Sequence, residues 1–207
     1  ALGYDFMDEN GDRLPPVFDS LEKVVQIKNN RVPEVLKDCH FQIACDVTNP
    51  LCGAQGCVYV FGAQKGVKEE EKESMDKAMQ SYAACLEKST GKKLSDILGT
   101  GAAGGLGFAF LWGLPNVELK PGINIVLEAV GLTNELKDAD VVVTGEGCLD
   151  FQTAMGKVPV GVAKTAKNYN CKVIAFAGSV TEEAKNCNEK GIDAFFSILP
   201  GVCSLDE

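Results

Sequence analysis

Residues 141–157 read VVVTGEGCLDFQTAMGK. Val141, Val142 and Val143 are β-branched and follow Asp138 and Asp140, the pattern of a buried strand leaving a sheet. Gly145 and Gly147 come directly after Thr144, so a strand over 140–144 is expected to break there into a tight turn. In open α/β sheets, ligands bind beyond the carboxyl ends of the strands. That puts Glu146, Asp150, Gln152 and Lys157 where chemistry is usually done. The plainer reading makes 145–156 a connector only. The density of polar side chains, beside backbone donors from two glycines, argues against it.

Downstream the order is regular. A helix over 157–168, a strand over 172–177, a helix over 182–190 and a strand over 194–199 alternate with short loops. Such alternation implies a parallel sheet with right-handed crossovers, here an α/β fold of the doubly wound, flavodoxin-like kind. Gly178-Ser179, after the strand VIAFA, adds a second strand-end loop in the same relative place. Upstream this rhythm is missing. The expectation is an α+β lobe over 1–135, with 136–207 forming part of the α/β domain.

Within the first half, GYDFMDENGDRL (3–14) reads as a hairpin turning at Asn10-Gly11. HFQIACDV (40–47) alternates as a strand and ends at Asp46, before the Asn49-Pro50 turn; 58–61 reads as another short strand. Residues 68–88 form the clearest helix, with Met75, Met79, Tyr82 and Leu86 at helical spacing. The acidic run 69–73 lies in its first turns, where it suits the helix dipole and a solvated face. GTGAAGGLG (99–107) flows into FAFLWG, and a helix over 123–130 follows Pro121-Gly122.

Composition narrows the classes of function. With 207 residues, 45% apolar and 24% charged, the chain has the make-up of a soluble globular protein with a sizeable core. A net charge of −9 opposes nucleic acid and anionic membranes, because the sequence-independent attraction would be a repulsion. No apolar run approaches the ~20 residues of a membrane helix, and no signal peptide is visible. The chain opens on Ala1 rather than Met, the mark of a processed chain or a fragment.

The nine cysteines are Cys39, Cys45, Cys52, Cys57, Cys85, Cys148, Cys171, Cys187 and Cys203. Their number is odd and no CxxC pair occurs, so free thiols in a reducing cytoplasm are the favoured reading. Zinc at Cys45, Cys52 and Cys57 would lack the short ligand knuckle that zinc prefers. His40, the single histidine, opens a strand and is read as structural, which removes most Ser-His-Asp and Cys-His chemistry.

Three loops therefore carry the chemistry. In DVTNPLCGAQGCVYVFGAQKG (46–66), Asp46 and Asn49 offer a carboxylate and an amide at a strand end, suited to hydroxyls or a magnesium ion. Taken alone, Asn49-Pro50 is better read as turn initiation. Lys65 supplies a cation on a flexible turn. In 99–107, Gly101, Gly104 and Gly105 would let backbone N–H groups approach a phosphate; close helix packing explains the same glycines equally well. The third loop follows 141–144. Phosphoryl transfer needs a cation, acids and rigid positioning, and Glu146, Asp150 and Lys157 supply those types.

Taken together, DVTNPLCG, FGAQKG, GTGAAGGLG, LKPGINIVLEAVGL, VVVTGEGCLDFQTAMGKVPVGVA and VIAFAGSV resemble, in order and spacing, the bacterial type I glycerate kinases. The resemblance runs from Leu2 to Asp206. It implies an ATP- and magnesium-dependent kinase that phosphorylates D-glycerate, more often at the 2-hydroxyl. Family proteins are nearly twice this long, with two α/β domains and the active site between them, so this chain resembles a piece of a two-domain kinase.

Position by position, Asp46 and Asn49 match the family's DVTNPL, Lys65 its QKG, and 101–105 its Gly-Ala-rich loop. Glu146, Asp150, Gln152 and Lys157 match its TGEG-x-x-D-x-Q segment and the GK that follows. The resemblance suggests Asp46 or Asp150 as base or magnesium ligand and Lys65 or Lys157 as phosphate neutraliser. Asn49, Glu146, Gln152, Ser179 and the glycines 101, 104 and 105 would then bind substrate or nucleotide. Two residues depart from the family: Cys148 replaces its usual Arg, and Ala63 its usual Pro. Losing the Arg removes a bidentate anion contact, which puts any role at that position in doubt. The competing readings are a non-catalytic nucleotide or hydroxy-acid binding domain and a thiol or metal protein.

Overall fold

A computed structural model describes residues 2–199. The chain divides into two compact units, Ala1–Pro121 and Gly122–Glu207. The sequence rhythm puts the change after residue 135. The division falls earlier because the helix that begins at Gly122 packs within the second unit, where Gly161 leaves room for the Ile123 side chain.

The first unit opens with strand β1 (Asp5–Met7), paired antiparallel with β2 (Gln26–Lys28). The expected turn forms: Asp8 Oδ1 accepts the Asn10 and Asp12 N–H groups at 3.0 and 2.9 Å. Its return segment makes only an isolated bridge, Met7 to Arg13, so the true partner of β1 lies further along the chain. Strand β3 (Phe41–Ala44) pairs in parallel with a later strand, described below.

Residues 58–61, expected as a strand, belong to helix α1 (Cys57–Phe61). Cys57 and Val58 are buried while Tyr59 and Val60 are exposed, a helical arrangement; a short apolar run cannot be assigned by periodicity alone. Helix α2 (Lys72–Thr90) follows a 3-10 turn at Glu69–Glu71 and buries Asp76, Met79, Ala83 and Leu86 along one stripe. Helix α3 (Ala102–Gly113) contains Ala103, Gly104 and Gly105 at φ 53, 79 and 98°, a left-handed turn set into its start. Strand β4 (Val117–Lys120) completes the unit against β3 in parallel. Leu51, Leu86 and Phe108 form the centre of its core.

The second unit begins with helices α4 (Gly122–Ala129) and α5 (Leu132–Glu135). Strand β5 (Val141–Leu149), helices α6 (Phe151–Ala154) and α7 (Val158–Lys167), and strands β6 (Lys172–Val180) and β7 (Ala194–Ser197) follow. The three strands are parallel in the order β5-β6-β7, the alternating α/β pattern read from the sequence. Between β6 and β7 the expected helix is a 3-10 helix, Glu182–Lys190. Its buried residues, Ala184 and Cys187, are three apart, matching a three-residue repeat.

Strand β5 does not stop at Thr144 but runs on through both glycines to Leu149, in register with β6. A Cβ on Gly145 would lie 2.4 Å from the Phe176 carbonyl oxygen, and one on Gly178 would lie 2.9 Å from that of Gly147. These glycines permit close backbone approach within the sheet rather than a turn. Ser179, expected in a loop, is likewise a strand residue, paired with Cys148.

Candidate functional site

Each unit gathers its own set of the residues singled out above. In the first unit, Asp46 stands exposed just beyond the end of β3, and Asn49 follows it. The Asn49 amide donates to the Gln55 carbonyl at 2.9 Å, and the Asn49 carbonyl accepts the Gly101 N–H at 3.0 Å. The strand-end loop and the glycine loop are therefore tied together through their backbones. A Cβ on Gly101 would lie 2.3 Å from the Pro50 carbonyl oxygen, so no side chain fits between the two loops.

The glycine loop then turns left-handed through 103–105 and re-enters the helix, with the Phe108 N–H on the Thr100 carbonyl at 3.0 Å. Lys65, on the 3-10 turn Ala63–Lys65, reaches over this turn: its Nζ is 3.0 Å from where a Cβ on Gly104 would be. Sequence reasoning left two uses open for these glycines, phosphate binding and close packing. Gly101 serves packing, whereas Gly104 is exposed beneath an ammonium.

Two carboxylates brace these loops from behind, and sequence reasoning missed both. Asp76 of α2 is 4% exposed, and its two oxygens accept the Gly53 N–H at 3.0 and 3.1 Å. Its sequence signal was an acid on the apolar stripe of a helix, three residues before Met79. Glu87, further along α2, accepts the Leu94 and Ser95 N–H groups at 2.7 Å each on one oxygen. The Ser95 carbonyl in turn accepts the Leu51 N–H at 3.0 Å and the buried Thr100 hydroxyl at 3.0 Å.

Burial works against the charge of Glu87, yet the Ser95 and Leu94 N–H groups hold its carboxyl below the usual range. A depressed pKa contributes stability that is fully present above the unfolded glutamate value, about 4.3, and is lost as pH falls through the lower folded value. Glu87→Gln is accordingly expected to lower stability at neutral pH by about 1–2 kcal/mol. It should also flatten the acid limb of the stability curve below about pH 4.5. Urea midpoints measured across that range check both effects, and an unchanged acid limb would contradict the brace.

In the second unit, Asp150 caps α6: its Oδ1 accepts the Thr153 N–H at 3.0 Å, and its own N–H donates to Thr153 Oγ1 at 3.2 Å. The Thr153 hydroxyl also donates to Glu146 Oε1 in a short contact. Thr153 is wholly buried and links the two carboxylates that the sequence singled out. Because β5 continues to Leu149, Glu146 alternates to the face that carries α6, which is why its side chain meets Thr153.

Lys157 approaches Asp150 Oδ1 at 3.5 Å. The Thr153 N–H chiefly, then Lys157, hold the Asp150 carboxyl below its ordinary value. The arrangement keeps a carboxylate ionised beside an ammonium at a helix start. Gln152 is exposed on α6, and Ser179 is exposed on β6 opposite Cys148. Cys148, at the family's Arg position, keeps its carbonyl near Thr153 Oγ1 at 3.5 Å. Thr153 is the residue sequence reasoning passed over; an Asp followed three residues later by Thr at a helix start was the available signal.

Among the described residues, no group of three or more His, Cys, Asp or Glu side chains could hold a metal ion, and no helix is long and apolar enough to cross a membrane. Eight described cysteines are free thiols; Cys203 lies outside the described residues.

Comparison with known proteins places this geometry. The model of the glycerate kinase family matches residues 1–207. The glycerate kinase of Bacillus subtilis (strain 168) is 42% identical over the whole chain, and so is the glycerate 2-kinase of Escherichia coli K12. The chain covers 54% of each, so it spans about half the length of the curated relatives it matches. The crystal structure of a candidate glycerate kinase 2 from Salmonella typhimurium LT2 superposes on all of the chain with a TM-score of 0.83 at 41% identity, over 53% of its own length. With the whole chain matched by the family model and by these relatives, the protein belongs to the glycerate kinase family.

Proposed function

We propose that the whole protein transfers the γ-phosphoryl group of ATP to the 2-hydroxyl of D-glycerate, and that this chain carries two groups of the residues that do so. The observation that carries the reading is the Lys65 ammonium poised over the left-handed glycine turn. Phosphoryl transfer is largely positioning and charge neutralisation, for which a cation beside an exposed left-handed glycine turn is suited. The name of the Escherichia coli relative, glycerate 2-kinase, supports the 2-hydroxyl.

Lys65 and the glycine turn at 103–105 would hold the polyphosphate, with Gly101 tying that turn to the loop of Asp46 and Asn49. Asp150 or Asp46 would accept the hydroxyl proton, Lys157 would offset developing charge, and Glu146, Gln152 and Ser179 would orient the acid. Magnesium is six-coordinate with oxygen ligands and needs only one or two protein carboxylates when phosphates supply the rest. The Glu146–Thr153–Asp150 arrangement fits that demand, as does Asp46 beside a polyphosphate. The bound ion would neutralise phosphate charge. We further propose that the three-stranded sheet is part of a wider doubly wound, flavodoxin-like sheet in a two-domain kinase. A reducing, cytoplasmic setting accords with the buried free thiols Cys57, Cys171 and Cys187.

The test is ADP formation by the whole protein with ATP and magnesium, with and without D-glycerate, and phosphorus NMR of the product. ADP formed only with glycerate, alongside a 2-phosphate ester, is the expected result. Nucleotide binding without turnover would favour a non-catalytic binding domain, and turnover only with other hydroxy acids would overturn the substrate.

A further inference from the structure

A cavity of about 430 Å³ lies in the first unit beside the glycine turn. Sixteen residues line it, five of them aromatic: Tyr4, Phe6, Phe18, Tyr82 and Phe108. Tyr82 stands between Phe6 and Phe108, with ring centroids 5.8 and 6.4 Å away. Gly104 and Gly105 line the same cavity, and the Lys65 ammonium lies over Gly104. Among the described residues no carboxylate lines it, in a chain with 29 acidic residues and a net charge of −9.

We propose that this cavity takes the purine base of the nucleotide, with the phosphates directed out over Gly104 toward Lys65. The inference rests on the nucleotide-dependent reading above and names the part of the molecule that would hold the base.

The chemistry of the walls selects the ligand. A three-carbon hydroxy acid has almost no apolar surface with which to fill an aromatic cavity. Inorganic phosphate would use the glycine turn and leave the rings wet. A nucleotide has a flat π-face at one end and anionic oxygens at the other, the same polarity as this cavity. Its volume falls in the range of pockets that enclose most of a small ligand, about 300–1,000 Å³. Burial pushes the Tyr82 phenol up to about 12, in keeping with the apolar wall around it. Arg13, also in the lining, shares Asp5 with Arg31 and adds a second cation to the wall, while Lys65 is the cation over the glycine turn.

Calorimetry on the whole protein, without glycerate, tests the inference with two probes: ADP, which has a base, and inorganic triphosphate, which has none. Leu21→Trp fills the cavity, and Tyr82→Leu removes a stacking ring while keeping apolar bulk. Each is expected to weaken ADP by about tenfold or more, as loss of a base–aromatic stack does, and to leave triphosphate within about twofold. Equal weakening of both probes, or ADP binding changed less than about threefold, would overturn the inference. So would the absence of ADP binding to the unsubstituted protein.

Should either variant fail to fold, photolabelling of the unsubstituted protein with 8-azido-ADP decides. Label on the peptides bearing Tyr4 and Phe6 or Tyr82 supports the cavity; label only elsewhere refutes it. Base-dependent ADP binding by a protein that never phosphorylates glycerate would defeat the proposed reaction and leave this inference standing. A working glycerate kinase whose ADP affinity ignores the cavity would do the reverse.

Discussion

Replacing Gly101 by alanine is expected to destabilise the first unit by about 3 kcal/mol or more, among the larger effects of a single methyl group. The backbone at Gly101 has φ −76°, which any residue adopts, so no conformational penalty is involved. The cost comes from contact alone. The added carbon would lie 2.3 Å from the Pro50 carbonyl oxygen, with the Pro50 carbonyl carbon and the Asn49 oxygen both at 3.1 Å. All three are backbone atoms of the loop that bears Asn49, so relief requires moving that loop. Gly66→Ala is the contrast: φ there is +88° with nothing within 4 Å, which costs about 1–2 kcal/mol of backbone strain and no clash. Urea denaturation of the two variants should therefore show Gly101→Ala the more damaged. If Gly66→Ala is equally or more destabilised, the close approach of the loops is wrong.

The second large effect is expected on turnover. Asp150→Asn and Lys157→Met should each reduce kcat of the whole protein by about 10²–10⁴-fold, the range for losing a general base or a charge stabiliser. Stability should barely move. Asn caps helices about as well as Asp, so the bond from the Thr153 N–H survives the first substitution. Lys157 is substantially exposed and its ion pair with Asp150 is long, so the second removes little folding energy. A lowered melting temperature with activity retained would instead make both residues braces of the turn.

The parallel α/β order of the second unit was legible because it rests on apolar runs separated by short turns, a signal local to each segment. What the sequence could not disclose was the use made of individual glycines. Gly145 looks like a turn former in isolation, and only the presence of β6 alongside shows that it admits a neighbouring backbone, as Gly178 does from the other strand. The strand expected over 58–61 failed for a related reason: a short apolar run satisfies either period, and only its backbone bonds, Val60 N–H to the Gly56 carbonyl and Gly62 N–H to the Val58 carbonyl, show the helix. The polar loops were recognised as sites from residue type, but their organisers were not. Thr153 had a local signal in the Asp150 three residues before it, whereas the bonds of Thr153 to Glu146, of Asp76 to Gly53 and of Glu87 to Leu94 and Ser95 cross between elements, where local spacing does not show them.

The parallel sheet of the second unit has a consequence for how the molecule behaves in solution. Val141, Val143, Phe176, Phe196 and Ile198 project outward from it and stay more than two-fifths exposed, and the rings of Phe176 and Phe196 lie 5.9 Å apart. Parallel sheets are ordinarily dry on both sides. A wetted patch of this kind binds hydrophobic dyes and drives self-association as concentration rises. Sulfate and phosphate salts, excluded from protein surfaces, strengthen that tendency, whereas the chain's surplus of acid groups opposes it at low ionic strength. For residues 1–207 on their own, one greasy plane and a negative envelope therefore act against each other, and ionic strength shifts the balance between them.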